Sequence, residues 1–208
     1  MLTRRRVAGR VAGFTLIEML VTMVVLTILV GLAMPSMSAW IRNSRLRTVS
    51  DSLQDGLRLA QTESLRRSRQ VVFSLTDDKA TSTIYTAKRN GKNWVIKTVP
   101  SMMADETSAF IESGVLTDLG STISITGPAS ICFNSLGRVV ANDNPGENAG
   151  TCSLPTSAPP VQTYGVTYSD LNLGADRPLQ VNVALGGQVR LCDPAKTLDA
   201  THPDGCPP

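Results

Sequence analysis

The chain has 208 residues, 20 of them basic and 17 acidic, with a formal net charge of +3. Four of the bases, Arg4, Arg5, Arg6 and Arg10, fall in the first 13 residues beside no acid, so the rest of the chain carries −1 and its basicity is no argument for nucleic-acid binding. One histidine, and four cysteines with no Cys-x-x-Cys spacing, exclude the usual hydrolase triads and zinc sites, and no Walker loop or dinucleotide glycine pattern is present.

The first element is RVAGFTLIEMLVTMVVLTILVGLAMPSM, residues 10–37. From Phe14 to Met34 it is almost wholly apolar, long enough as a helix to cross a ~30 Å hydrocarbon core. Glu18 interrupts it. A lone carboxylate there costs roughly 2.5–3.5 kcal/mol on insertion scales, so a neutralising partner is expected. Cutting after Gly13 would create an ammonium at Phe14, close to Glu18. The alternatives are a secretory signal peptide, with Ser36 and Ser38 near its cleavage site, an uncleaved signal anchor, or a twin-arginine signal at Arg4-Arg5. An acid inside so long an apolar core fits them poorly. The leader arginines hold the N-terminus inside and send the C-terminus out, while Arg42, Arg45 and Arg47 argue the other way.

Gly13-Phe14-Thr15-Leu16-Ile17-Glu18 resembles the processing site of type IV prepilins and type II secretion pseudopilins. The resemblance implies that a membrane peptidase cuts after Gly13 and methylates the Phe14 amine, and that Glu18 guides subunit packing in a filament. Pro35 falls where such proteins often bend the helix. The expected organisation is a cleaved leader over 1–13, a transmembrane assembly helix over 14–37 and a periplasmic domain over 38–208.

Residues 38–66 continue the helix. Leu46, Val49, Leu53, Leu57 and Ala60 form one apolar stripe, and Arg45, Arg47, Asp51, Asp55, Arg58 and Glu63 are expected on the other face. Arg66, Arg67 and Arg69 suit a helix C-terminus. Strands are expected at Gln70–Leu75, at Thr83–Lys88 and Asn93–Val99 as a hairpin around Asn90-Gly91, at Ser121–Thr126, at Ser130–Asn134 with Arg138–Ala141, and at Tyr164–Tyr168. Ala109–Leu116 reads as a strand or as a short helix and loop. Leu179–Leu185 and Gln188–Cys192 flank Gly186-Gly187 as a second hairpin. Residues 142–162 read as one long loop, and the tail after Cys192 has no periodicity. The fold class is therefore α+β: a long N-terminal helix packed on an antiparallel β-sheet domain, which matches the pilin-like plan.

A periplasmic domain permits disulfides. Four cysteines allow three connectivities. The sequence-near one, Cys132–Cys152 with Cys192–Cys206, is expected because each intervening stretch is rich in Gly, Pro or Asn. The segment from Gly186 to Pro194, with ICFNSLGRV upstream, is similar to the GspH/FimT family of minor pilins and pseudopilins. That resemblance implies a minor pilin (FimU-like) that primes assembly at or near a pilus tip. Its alternatives are a minor pseudopilin of a type II secretion system or a DNA-binding pilin for uptake. The implied partners are other major and minor pilins, the prepilin peptidase, an inner-membrane assembly platform and membrane lipid, with no cofactor, no metal and no enzymatic activity. DNA-binding relatives carry a G-R-x-R stretch. Here it reads Gly187-Gln188-Val189-Arg190, so the candidate DNA contacts are Arg190 and Lys196, and weak binding is expected.

Overall fold

The structure is a computed structural model that describes residues 13–79, 84–100, 106–116, 122–156, 160–172 and 174–207. Among the described residues one helix, α1, runs Leu16–Arg67. The chain divides into two compact units between Trp40 and Ile41. In the first unit the helix is apolar on all sides and its described side chains are exposed from Leu16 to Ser38. In the second, the helix shows one buried stripe: Leu46, Val49, Leu53, Leu57 and Ala60 are at most 1% exposed. Glu63 departs from the expected solvent face. It is 8% exposed and is held by two arginines one turn further on.

Ten strands follow among the described residues: β1 Val71–Thr76, β2 Asn93–Thr98, β3 Phe110–Val115, β4 Ile123–Thr126, β5 Ser130–Phe133, β6 Val139–Val140, β7 Val161–Tyr168, β8 Leu179–Ala184, β9 Val189–Thr197 and β10 Gly205–Cys206. They form two five-stranded sheets, β3-β2-β1-β5-β6 and β10-β9-β8-β7-β4. Every pairing is antiparallel except β10 with β9. Val139 of β6 donates its N–H to the Leu185 carbonyl just past β8 at 2.9 Å, joining the sheets at one corner.

The helical stripe shares one core with Phe73, Ile131 and Phe133 of the first sheet and Tyr164, Val166, Val181 and Val183 of the second. β1 is buried along its whole length. Its outward residue Val72 packs in a second, smaller cluster with Tyr85, Val95, Val99, Cys132, Ala149 and Cys152. The loop after β6 thus lies over the outer face of the first sheet. Its backbone polar groups are met there. Ser130 donates its one hydroxyl proton to Ala149 O at 2.5 Å, its Oγ lies 2.9 Å from the Ser74 hydroxyl, and the Tyr85 hydroxyl donates to Ser74 at 3.2 Å.

Two local expectations are corrected. Thr83–Lys88 is not the partner of β2. Thr83 lies outside the described residues, Ala87 makes only a single bridge to Thr76, and β2 pairs with β1 and β3. The Asn-Gly signal serves a different geometry. Asn90 takes φ 59° and its Oδ1 accepts the Ile125 N–H at 2.5 Å. Gly91 comes so close to the Thr76 backbone that any Cβ would collide with it. The tail is also more regular than its sequence suggests. β9 runs past Cys192 to Thr197, and β10 returns beside it. The Ala109–Leu116 ambiguity resolves as strand β3, an edge strand with alternating exposure. Ser121 lies outside the described residues.

Candidate functional site

The N-terminal candidates are brought together by one helix start. Thr15 is its cap: its Oγ1 accepts the Glu18 N–H at 3.3 Å, and its carbonyl accepts from Glu18 and Met19 at 3.1 and 3.2 Å. Thr15-x-x-Glu18 is thereby a capping-box spacing, a signal the sequence reading did not use. The Glu18 carboxylate lies in the first turn, where the helix dipole favours negative charge. Phe14 is 78% exposed, and no atom lies within 4 Å of where a Gly13 Cβ would sit. Residues 1–12 of the leader lie outside the described residues. Pro35 lies within α1, and its side chain, with the bend expected there, lies outside what is described.

The helix is long and apolar enough to cross a membrane, with a mean hydropathy of 2.5 over its best window. Its two central hydroxyls are satisfied within the helix: Thr22 donates to Met19 O at 2.9 Å and Thr27 to Val24 O at 2.8 Å. That is what a solvent without hydrogen-bonding groups demands.

Arg42 opens the second unit. Its Nε and Nη2 donate to the two oxygens of Asp176 at 2.8 and 2.7 Å, and its Nη1 lies 3.3 Å from Asp170. The guanidinium carbon stands 4.0 Å over the Tyr168 ring, and the Tyr168 hydroxyl donates to the Arg42 carbonyl at 3.1 Å. Asn43 adds bonds to Ala175 O and from Arg177 N–H. The loop after β7 is thus pinned to the helix. Hydrogen bonding from Arg42 holds the buried Asp176 carboxyl below the usual carboxylate range, and the same bonds raise Arg42. Nothing in the sequence pairs residues so far apart, and this clasp was not foreseen.

At the C-terminus Cys132 is bonded to Cys152 and Cys192 to Cys206. The second bond ties β10 to β9, helped by Asp193 N–H to Asp204 O at 2.8 Å and Leu198 N–H to Cys206 O at 2.9 Å. Arg190 is exposed and donates to Pro203 O at 2.9 Å. Lys196 is held by Asp204 at 2.5 Å and Asp193 at 3.5 Å. Hydrogen bonding to Asp204 raises the Lys196 amine and lowers that carboxyl. Asp199 accepts from Thr201 and the His202 backbone. The two DNA candidates therefore sit on one strand, β9, with Lys196 already neutralised. The arginines at the end of α1 and just beyond it are partly offset, three cations against two carboxylates. Arg66 and Arg67 share Glu63 at 2.7 Å each, and Arg69 pairs with Glu106. No group of metal-ligating side chains occurs among the described residues.

The fold and the site together define a chain with one exposed, acid-bearing apolar helix whose continuation forms the core of a two-sheet domain. Residues 9–34 match the family model described as the prokaryotic N-terminal methylation motif, which covers the Gly13–Glu18 segment on which the prepilin resemblance was drawn. No curated protein matches the chain significantly. Among solved structures, the type IV minor pilin FimU of Pseudomonas aeruginosa strain PAO1 is similar at 14% identity and TM-score 0.48, over 74% of this chain and 92% of that one. The minor pseudopilin EpsH of the Vibrio cholerae type 2 secretion system is similar at 11% identity and TM-score 0.43, over 70% of this chain and 94% of that one.

Proposed function

We propose that the chain is a minor pilin of a type IV pilus, made as a precursor and assembled at or near the filament tip. The observation that carries this reading is the methylation-motif match over residues 9–34, whose acid, Glu18, lies in the first turn of a helix with no covering of its own. In this reading residues 1–13 are a leader that a membrane peptidase removes, and the Phe14 amine is methylated. Residues 14–37 hold the subunit in the inner membrane through contact with lipid. Residues 38–208 stand in the periplasm until an assembly platform drives insertion beside major and other minor pilins.

The chemistry follows from dielectric. In a filament core the Glu18 carboxylate has no water, and the Phe14 ammonium of a neighbour is the opposite charge it needs. Surface ion pairs are worth about 0–1 kcal/mol, whereas a charge left alone in low dielectric is heavily penalised. Glu18 thereby sets register: a misplaced subunit leaves both charges unpaired. Glu18→Ala should leave membrane insertion intact, since it removes a charge from lipid, and should lower recovery of the chain in sheared filaments. Recovery equal to wild type would count against the reading. A chain absent from sheared filaments but required for release of a secreted enzyme would instead assign it to a type II secretion pseudopilus.

A further inference from the structure

The two disulfides differ in what surrounds their sulfurs. Cys132 and Cys152 lie inside the second apolar cluster, at 0% and 1% exposure, among Val72, Tyr85, Val95 and Ala149. The Cys152 backbone is held as well: its N–H donates to Asn142 O at 2.8 Å and its carbonyl accepts the Asn142 N–H at 2.9 Å. A thiol reaches that bond only after this cluster opens. Cys192 of β9 is also buried, but its partner Cys206 on β10 is half-buried. β10 has two residues, and the segment leading to it, Asp199 to Asp204, is exposed throughout. Parting β10 from β9 breaks the Asp193–Asp204 and Leu198–Cys206 backbone bonds and the Lys196–Asp204 pair, and disturbs neither apolar cluster. Openings of that kind are among the least costly in a folded domain.

The buried sulfur of this pair has a donor aimed at it. Asn182 of β8 is 6% exposed, and its Nδ2 donates to Cys192 Sγ at 3.5 Å. Gln180 fixes the orientation of that amide by donating from Nε2 to Asn182 Oδ1 at 2.8 Å. To a disulfide sulfur such a bond is weak. To a thiolate it is charge-assisted, and charge-assisted bonds are about twice as strong as neutral ones. Asn182 therefore favours the state in which Cys192 carries negative charge, which is the state a leaving sulfur approaches.

We infer that Cys206 is a site of reversible S-thiolation by low-molecular-weight thiols, with Cys192 as the leaving sulfur and Cys132–Cys152 closed to exchange in the folded domain. A thiolate RS⁻ attacks Cys206 Sγ. The Cys192–Cys206 bond breaks as the new S–S bond forms, and Cys192 Sγ departs with the bonding pair beside the Asn182 amide. The products are the mixed disulfide RS–S–Cys206 and the Cys192 thiolate, which takes a proton from water. The incoming sulfur is oxidised and Cys192 is reduced, so the electrons balance. Return of Cys192 onto Cys206 expels RS⁻ and restores the original bond. Exposure and the Asn182 donor select the same direction: the more accessible sulfur is attacked, and the buried, hydrogen-bonded one leaves. β9 keeps its pairing with β8 throughout, so the modification changes β10 alone.

The test uses the full chain in detergent micelles with excess glutathione as the probe. Samples are quenched with acid at intervals, free thiols are alkylated, and the bonds are read by peptide mass mapping. The folded wild type should carry glutathione on Cys206 and an alkylated Cys192, with Cys132–Cys152 intact until denaturant is added. Asn182→Ala should slow the adduct on the order of fivefold, part of the weight of one hydrogen bond to a charged group, and Asn182→Asp should slow it further by setting a like charge beside the leaving thiolate. A purely structural role for Asn182 would act in the opposite direction, since a loosened β9 exchanges faster. The Cys132–Cys152 bond reports folding in every sample, and the wild-type regiochemistry decides the assignment whatever the stability of the variants. Glutathione on Cys192 in place of Cys206, opening of both bonds at one rate, or opening of Cys192–Cys206 only in denaturant would overturn the site. A folded Asn182→Ala chain that exchanges as fast as wild type would overturn the part given to Asn182.

Discussion

Replacing Gly114 by alanine should loosen the seating of α1 on the first sheet. Trp94 is the wedge between them. It stacks on Phe73 with ring centroids 6.0 Å apart and is 7% exposed. A Cβ on Gly56 of the helix would stand 3.0 Å from the indole Cε2, and a Cβ on Gly114, its partner across β2 and β3, would stand 2.5 Å from Cε2 and Cζ2. The indole fills a slot that two glycines leave open. With a glycine limiting it on either contact, the ring has little room to retreat. Gly114→Ala therefore overpacks the site, at a cost of about 1–3 kcal/mol. For a domain of this size that lowers the melting temperature by roughly 2–4 °C per kcal/mol. The control is Trp94→Phe, which removes Nε1 and Cζ2, two of the atoms the new methyl would meet. In that background Gly114→Ala should be neutral or stabilising, since alanine is otherwise better than glycine in a strand by about 0.5–1 kcal/mol. Thermal unfolding of the four proteins, followed by near-ultraviolet circular dichroism, closes the double-mutant cycle. A coupling energy near zero, or a Gly114→Ala chain as stable as wild type, would refute the slot.

Two further outcomes follow from the charged groups. Hydrogen bonds from Arg66 and then Arg67 pull the Glu63 carboxyl from an ordinary 4.5 to about 2. A depressed carboxyl stabilises fully above its ordinary value and stops doing so as pH falls through its folded value. The stability gap between wild type and Glu63→Gln should therefore be constant above about pH 4.5 and close towards pH 2; a gap independent of pH would show that the pair contributes nothing. For DNA, with Lys196 engaged by Asp204 and Asp193, anisotropy titrations should give dissociation constants no tighter than about 10⁻⁴ M at physiological salt. Gln188→Arg should tighten binding and steepen the salt slope by about one phosphate contact, while tight binding by the wild type would show that the tail has been misjudged.

Much of the fold was legible because it is periodic. The stripe from Leu46 to Ala60 could only be a helix face, and all five of its members are buried in the shared core. The Leu179–Leu185 and Gln188–Cys192 runs flank a Gly-Gly turn and pair as β8 and β9. What could not be read is non-local. β2 pairs with β1, 17 residues earlier, and with β3, and Asn90-Gly91 proved to be a close approach to Thr76 and a hydrogen-bond partner of Ile125. Parallel β10 has two residues and no pattern to announce it. The Arg42 clasp joins residues 134 apart in sequence. Burial of the second cluster around Tyr85 depends on a loop whose composition reads as solvent-facing. Around Glu18, the apolar run and the Gly13-Phe14 junction were visible in the sequence, and the Thr15 cap was visible but unread.

The central claim is that Gly13 and Phe14 form a processing junction ahead of an assembly helix. The intact mass and N-terminal sequence of the chain extracted from membranes of cells that make pili test it most directly. The account predicts a chain that begins at Phe14, lacks residues 1–13 and carries one added methyl on its amine. A chain that retains Met1, or one that begins near Ala39 after cleavage beyond the apolar run, would contradict it.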